Sequence, residues 1–133
     1  SSFPLIGSFF PESYTSEPRL RIEAYRKLAQ MREEIEIDGF LEELKDRFGT
    51  PPDEVFALTQ ETRIRCLTEE AGFDMIEVRK NEIYCRMIQR GKDGTKHYHR
   101  KAGQIPKLSS KEPLLKLNEI IRFLRIVHHG NKN

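Results

Sequence analysis

The amino-acid sequence predicts an α+β fold: an N-terminal three-helix segment packed with a small antiparallel sheet and a C-terminal helix. Three observations lead there. Apolar residues recur at helical spacing between about residues 18 and 71, in runs broken by Gly and Pro. The period then changes from 3.6 to 2, with Ile76 and Val78 alternating with Glu77 and Arg79. Helical spacing returns in Leu117, Ile120, Ile121, Leu124 and Val127.

Residues 1–18 read as an extended lead-in. Pro4, Pro11 and Pro18 oppose helix, while Phe9, Phe10 and Tyr14 offer side chains to bury. A first helix is expected from about Pro18 to Arg32, its stripe formed by Ile22, Tyr25, Leu28, Ala29 and Arg32. Pro18 suits the first turn. The second is expected from about Ile37 to Phe48, with Phe40, Leu41, Leu44 and Phe48 as its core stripe and Gly49 as the residue that ends it. Thr50 and Pro51 then read as the N-cap and first residue of a third helix, and Asp53 completes a capping-box pattern. Its face is Ala57, Ile64, Leu67 and Ala71, and it stops at Gly72.

Ile83, Cys85 and Met87 alternate with Tyr84, Arg86 and Ile88, which gives a second strand after the one around Val78. Gly91-Lys92-Asp93-Gly94 is a hairpin turn signal, and residues from Thr95 to Lys101 are expected to return as a third strand. Ser109 and Ser110 are the expected caps of the last helix, with Pro113 in its first turn.

A chain of 133 residues, one third of them charged, suits one folded domain. It does not open on Met, which leads to the expectation of a piece of a longer protein. No apolar run approaches the roughly 18 residues of a membrane span. The apolar start, Ser1 to Phe10, lacks the basic stretch of a signal peptide. A cytoplasmic location without membrane contact is therefore expected. Cys66 and Cys85 share no metal or redox spacing and read as two reduced thiols in or near a core.

Catalytic patterns are missing. No Gly-rich phosphate loop, nucleophile elbow or H-E-x-x-H is present, and Gly91 to Thr95 sits on a hairpin rather than before a helix. His97-x-His99 places two imidazoles on one face of a strand, without a third ligand nearby, and reads as a surface pair. His128 and His129 fall at the end of the last helix, where a cation meets the dipole favourably. The expectation is a chain with no catalytic residue, metal site or cofactor.

Charge is unevenly spread. Residues 1–78 carry 9 Lys+Arg against 17 Asp+Glu, whereas residues 79–116 carry 11 against 3. Solvated faces explain this simply. A different class of explanation is a nucleic-acid-binding module in the basic half, contacting phosphate through Arg79, Lys80, Arg86, Arg90 and Lys92, with Tyr84 and Tyr98 interleaved. No RNP-like or helix-turn-helix pattern accompanies them.

The most informative segment is Glu42-Glu43-Leu44-Lys45-Asp46-Arg47-Phe48-Gly49. Glu43, Asp46 and Arg47 stand at i, i+3 and i+4, on the polar flank beside the Leu44/Phe48 core stripe. On physical chemistry alone, a local Glu43–Arg47 pair worth a few tenths of a kcal/mol is the simpler reading. The alternative is a docking patch in which Arg47 takes a partner carboxylate and the two acids take a partner Arg.

The stretch Glu43 to Pro52, E-L-K-D-R-F-G-T-P-P, resembles the E-L-x-D-R-F-G-x-x-P signature of the C-terminal domain of bacterial transcription-repair coupling factors. Pro11-Glu12-Ser13-Tyr14 resembles that family's P-[ED]-x-[YF]. Arg21-Ile22 with Tyr25-Arg26-Lys27-Leu28-Ala29 resembles its R-[LI]-x-x-[YF]-[KR]-[KR]-[LI]-A. Leu58, Arg63-Ile64-Arg65 and Gly72 fall where the family has its long third helix and the glycine that ends it. The spacings agree without gaps from Pro11 to about Glu77, half the chain. The resemblance implies that residues 1–133 form a single regulatory, autoinhibitory domain of a larger ATP-dependent DNA translocase that displaces stalled RNA polymerase. It implies that the domain covers the UvrA-binding surface of an N-terminal UvrB-like module in the same protein. UvrA and RNA polymerase are then indirect partners, and DNA is reached through the parent. Carried over by position, the contact residues are Glu43, Asp46 and Arg47.

Overall fold

The computed structural model describes residues 9–87 and 97–131. The start of the lead-in, the turn signal from Gly91 to Gly94, and Arg90 and Lys92 lie outside the described residues. The elements run α1 (Pro18–Gln30), α2 (Glu34–Phe48), α3 (Asp53–Glu70), β1 (Phe73–Arg79), β2 (Glu82–Met87), β3 (His97–Tyr98) and α4 (Pro113–Asn131). This is the expected α+β order. The chain divides into two compact units on either side of the Cys66–Leu67 junction, within α3. No helix among the described residues is long and apolar enough to cross a membrane.

In the first unit, Phe10, Ala24, Leu28, Met31, Ile37, Phe40, Leu44, Val55 and Cys66 form one buried cluster, with Tyr14, Leu41, Phe48 and Leu58 packed against it. Pro18 opens α1 as expected, but the buried face is not the expected one. Ala24 and Leu28 are buried and Leu20 is half-buried, while Ile22 and Tyr25 are exposed. Leu20, Ala24 and Leu28 recur every four residues, and Ile22, two residues or about 200° from Ala24, falls on nearly the opposite side of the helix. Tyr25 still contributes at its edge: its hydroxyl accepts the Phe10 N–H at 2.8 Å, and its ring meets Phe10 edge-on at 5.4 Å.

α2 buries Ile37, Phe40 and Leu44, and half-buries Leu41 and Phe48, close to the expected stripe. Gly49 follows at φ +85°, a conformation that favours glycine, and its N–H closes the helix on the Lys45 carbonyl. α3 starts two residues later than expected. Pro51 and Pro52 stand outside it, and the Pro52 carbonyl accepts the first turn's Val55 and Phe56 N–H groups. Buried positions fall nearly all the way round α3 rather than on one stripe. Two of its hydroxyls bond within the helix, Thr59 donating to the Phe56 carbonyl and Thr62 to that of Leu58.

In the second unit, a three-stranded antiparallel sheet has the order β1-β2-β3. Val78 pairs with Ile83 and Ile76 with Cys85, which puts the apolar alternation of both strands on one face. β1 and β2 are joined by Lys80-Asn81, both at positive φ (48° and 62°), as a tight two-residue hairpin requires. Within the described residues β3 ends at Tyr98, short of the expected Lys101. His97 and Tyr98 pair with Met87 and Arg86, and the His99 N–H adds a bond to the Cys85 carbonyl. Beyond it, the Ile83 N–H reaches the Pro106 carbonyl and the Leu108 N–H the Asn81 carbonyl, which lays residues 106–108 beside the hairpin.

Leu117, Ile120, Ile121, Leu124 and Val127 are all buried on α4, as the spacing predicts. The cap differs. The Glu112 carboxylate accepts the N–H groups of Leu114 and Leu115, with Pro113 between them and the cap. Ser109 and Ser110 instead donate their backbone N–H groups to the Glu119 carboxylate, on the second turn of the same helix. Cys66 and Cys85 are buried and in no disulfide, and burial pushes the Cys85 thiol up to about 12.

Candidate protein-interaction site

α2 turns the flank beside its core stripe outward, and Glu43, Asp46 and Arg47 are all exposed on it. The spacing argument thus places the three side chains correctly, on one side of the helix and outside the core. Glu43 has two cationic neighbours. Glu43 Oε1 lies 3.9 Å from the Arg47 guanidinium and 3.7 Å from Lys27 Nζ of α1. Arg47 also sits over the Phe48 ring, 5.1 Å from its centroid. Glu23, Lys27, Glu43 and Arg47 form the polar rim of a small cleft between α1 and α2, about 30 Å³ in volume, whose apolar lining includes Phe10, Phe40 and Phe48. The rim is a surface of alternating charge over aromatic rings.

These ion pairs are long and half-exposed, so each is worth well under about 1 kcal/mol. Exchanging them for a partner's charges is cheap. Lys27 and Glu23 were not singled out by sequence because they come from a different helix. The available signal was Lys27 preceding Leu28, a position that borders whatever Leu28 packs on.

The scaffold beneath is held by residues that the sequence motifs contain. The Tyr14 hydroxyl donates to the Gly49 carbonyl at 2.8 Å, with the Leu44 carbonyl at 3.2 Å, and the ring packs on Phe48. Burial raises the Tyr14 pKa. Arg21 donates to the carbonyls of Thr15 and Ser16. Arg65 donates to the Leu28 carbonyl at 2.8 Å, closing the end of α1. Arg63, only 11% exposed, forks onto Glu34 at 2.9 Å and Asp38 at 2.7 Å, tying α2 to α3, with Gln60 accepting from its Nε. Desolvation opposes its charge, but these two carboxylates outweigh that and raise its pKa.

The basic candidates of the second unit are arranged differently. Glu77, Arg79, Glu82, Tyr84, Arg86 and Tyr98 share the sheet face opposite Val78, Ile83 and Cys85. Arg79 lies 4.1 Å over the Tyr84 ring and 3.6 Å from Glu77. Arg86 donates to Asp74 at 2.8 Å, and that hydrogen bond raises its pKa. Tyr84 and Tyr98 meet edge-on at 5.6 Å. Arg79 and Arg86 are therefore each matched to an acid, and Lys80 stands exposed at the hairpin tip.

His97 and His99 do not form the expected surface pair. His99 is wedged edge-on between Phe73 and Phe123, at 5.7 Å from each, and desolvation lowers its pKa. Among the described residues no group of three or more His, Cys, Asp or Glu is placed to hold a metal.

Comparison with known proteins adds the family. The chain is 37% identical over 72 residues to the transcription-repair-coupling factor of Rickettsia prowazekii, and 33% identical over 67 residues to that of Mycobacterium bovis. The matched segments are 54% and 50% of this chain but only 6% and 5% of those relatives. A crystal structure of the C-terminal domain of transcription-repair coupling factor superposes with a TM-score of 0.68 at 20% identity, over 94% of this chain and 91% of that one. The fold is thus shared across nearly the whole length. The family model of the TRCF domain matches residues 6–97, well over half the chain, and the chain belongs to that family.

Proposed function

We propose that this chain is a non-catalytic regulatory domain of a transcription-repair coupling factor, and that it acts by masking. In this reading, Glu43, Asp46 and Arg47 dock onto the UvrB-like module of the same parent protein. The contact covers the surface that recruits UvrA until the parent engages stalled RNA polymerase. DNA is met through the parent, in the cytoplasm, and the domain uses no cofactor of its own.

The observation that carries the reading is the state of the α2 flank. Two acids and an Arg are exposed on one flank of α2, and the ion pairs that Glu43 makes with Lys27 and Arg47 are weak and exchangeable. Such a set recognises a partner's charges without rearranging the core beneath it.

The test is a triple alanine variant, Glu43→Ala, Asp46→Ala and Arg47→Ala, in the full-length parent, titrated with UvrA beside the unmodified protein. Since masking and UvrA compete for one surface, release raises the apparent UvrA affinity by the population penalty removed. Desolvated charged contacts lose roughly 2 kcal/mol or more on truncation, so a gain of about tenfold or more is expected. A folded variant that binds UvrA no better than its parent refutes the assignment.

A further inference from the structure

The second unit carries an open groove of about 560 Å³ between β2, the segment after β3, and α4. It is independent of the α1–α2 face. Its floor is apolar: Ile83 from the sheet, Pro106 from the segment, and Phe123, Ile126 and Val127 from α4. Ile126 is 65% exposed at the groove although it sits mid-helix, an apolar side chain left in water beside a concave surface. His99 adds no charge to the floor, because its ring is held between Phe73 and Phe123 and burial favours the neutral form.

The rim is cationic from two sides, with Lys101 and Lys107 on the segment after β3 and Arg122 on α4. One acid borders it, Glu119, and its carboxylate oxygens already accept the backbone N–H groups of Ser109 and Ser110. An apolar trough with positive charge along both walls is complementary to an apolar ligand with negative flanks. The volume lies within the range of ligand-sized pockets. The open side and the exposed Ile126 favour an extended occupant, since a small enclosed molecule leaves Ile126 in water.

We propose that this groove docks an acidic amphipathic helix of a partner protein, with apolar anchors on Phe123 and Ile126 and carboxylates facing Lys101, Lys107 and Arg122.

The test selects, on the full chain, from a display library of helical peptides in which Glu fills the outward positions and the anchor positions are randomised. Binding is read by fluorescence anisotropy and mapped by amide chemical shifts. The expected result is micromolar binding with shifts centred on Ile83, Phe123 and Ile126. Affinity should fall at least tenfold with Ile126→Glu or Arg122→Glu, recover with Arg122→Lys, and weaken with salt. Ile126 and Arg122 are exposed, so thermal midpoints should not move; Lys107→Glu, off the helix, repeats the test where one does. The proposal is overturned by selected peptides that bind no tighter than about 100 µM, by shifts that map elsewhere, or by a Lys-framed library that performs equally well. Dodecanoate occupying the groove where no acidic peptide does overturns it in favour of a small anionic amphiphile.

Discussion

Replacing Arg63 with Met should destabilise the first unit by about 2 kcal/mol. The guanidinium is 11% exposed and makes two charge-assisted bonds, to Glu34 at 2.9 Å and Asp38 at 2.7 Å, with Gln60 beneath. Bonds of this type are each worth about 1.5–3 kcal/mol, and losing one member of a buried pair costs about 3–5 kcal/mol when the other stays dry. Here the acids do not stay dry: the Asp38 side chain is 63% exposed and regains water once Arg63 leaves. That discount, and the retained packing of a Met stem, bring the expected cost to the lower end. Arg63→Lys should cost about 1 kcal/mol, because one ammonium cannot span both acids with the fork geometry. The assay is urea unfolding followed at the backbone amides of α2 and α3. With a denaturant slope of about 2 kcal/mol per molar, the Met variant should shift the midpoint down by about 1 M. A Met variant as stable as the original within about 0.5 kcal/mol would show that the triad only breaks even with a hydrophobic replacement.

Other substitutions separate the remaining claims. Phe48→Ala should cost about 2 kcal/mol in the same urea assay rather than the 3–5 of a fully buried aromatic, since Phe48 is half-buried against Tyr14; a cost of 4 or more contradicts that placement. The lowered pKa of His99 means that the unfolded state takes up the proton first. Its contribution is thus fully present above the unfolded value near 6.5 and lost as pH falls through the folded one. Stability of the second unit should decline from pH 7 to pH 5, and His99→Phe should flatten that slope; an unchanged slope assigns it to another group. Binding to duplex DNA should be weak and salt-sensitive, because Arg79 and Arg86 are already matched to Glu77 and Asp74. Sub-micromolar binding at physiological salt, lost on neutralising Arg79 and Arg86, makes the basic half a nucleic-acid site.

Legibility in the sequence followed side-chain size. The stripes of α2 and α4 were readable because large aliphatics and Phe fill them. The face of α1 was misphased because Ala24, a weak signal, is buried while Ile22 is exposed. The Lys80-Asn81 hairpin escaped because neither residue is Gly, although Asn tolerates positive φ better than most. The α4 cap was misplaced because a Glu can stand in for Ser when its carboxylate reaches the second and third N–H groups. The shared, exposed flank of Glu43, Asp46 and Arg47 was legible from spacing, since they stand on one helix. Lys27 was not, because only tertiary packing brings it to Glu43. The docking role itself came from the family resemblance, which no periodicity carries.

The way α1 ends has a consequence for folding kinetics. α1 has no glycine after it; its Leu28 carbonyl is met by the Met31 N–H within the turn and also by Arg65, and the Met31 carbonyl by the Cys66 thiol. Arg65 and Cys66 lie more than thirty residues downstream, on consecutive positions of α3. A 13-residue helix is marginal by itself, so α1 cannot persist as a local nucleus that waits for the rest. Its last turn closes locally on the Met31 N–H but gains two further bonds only when α3 arrives, across a long chain closure. Amide exchange in the last turn of α1 and in the middle of α3 should then proceed through one shared opening, with a common free energy, rather than through fraying of α1 first.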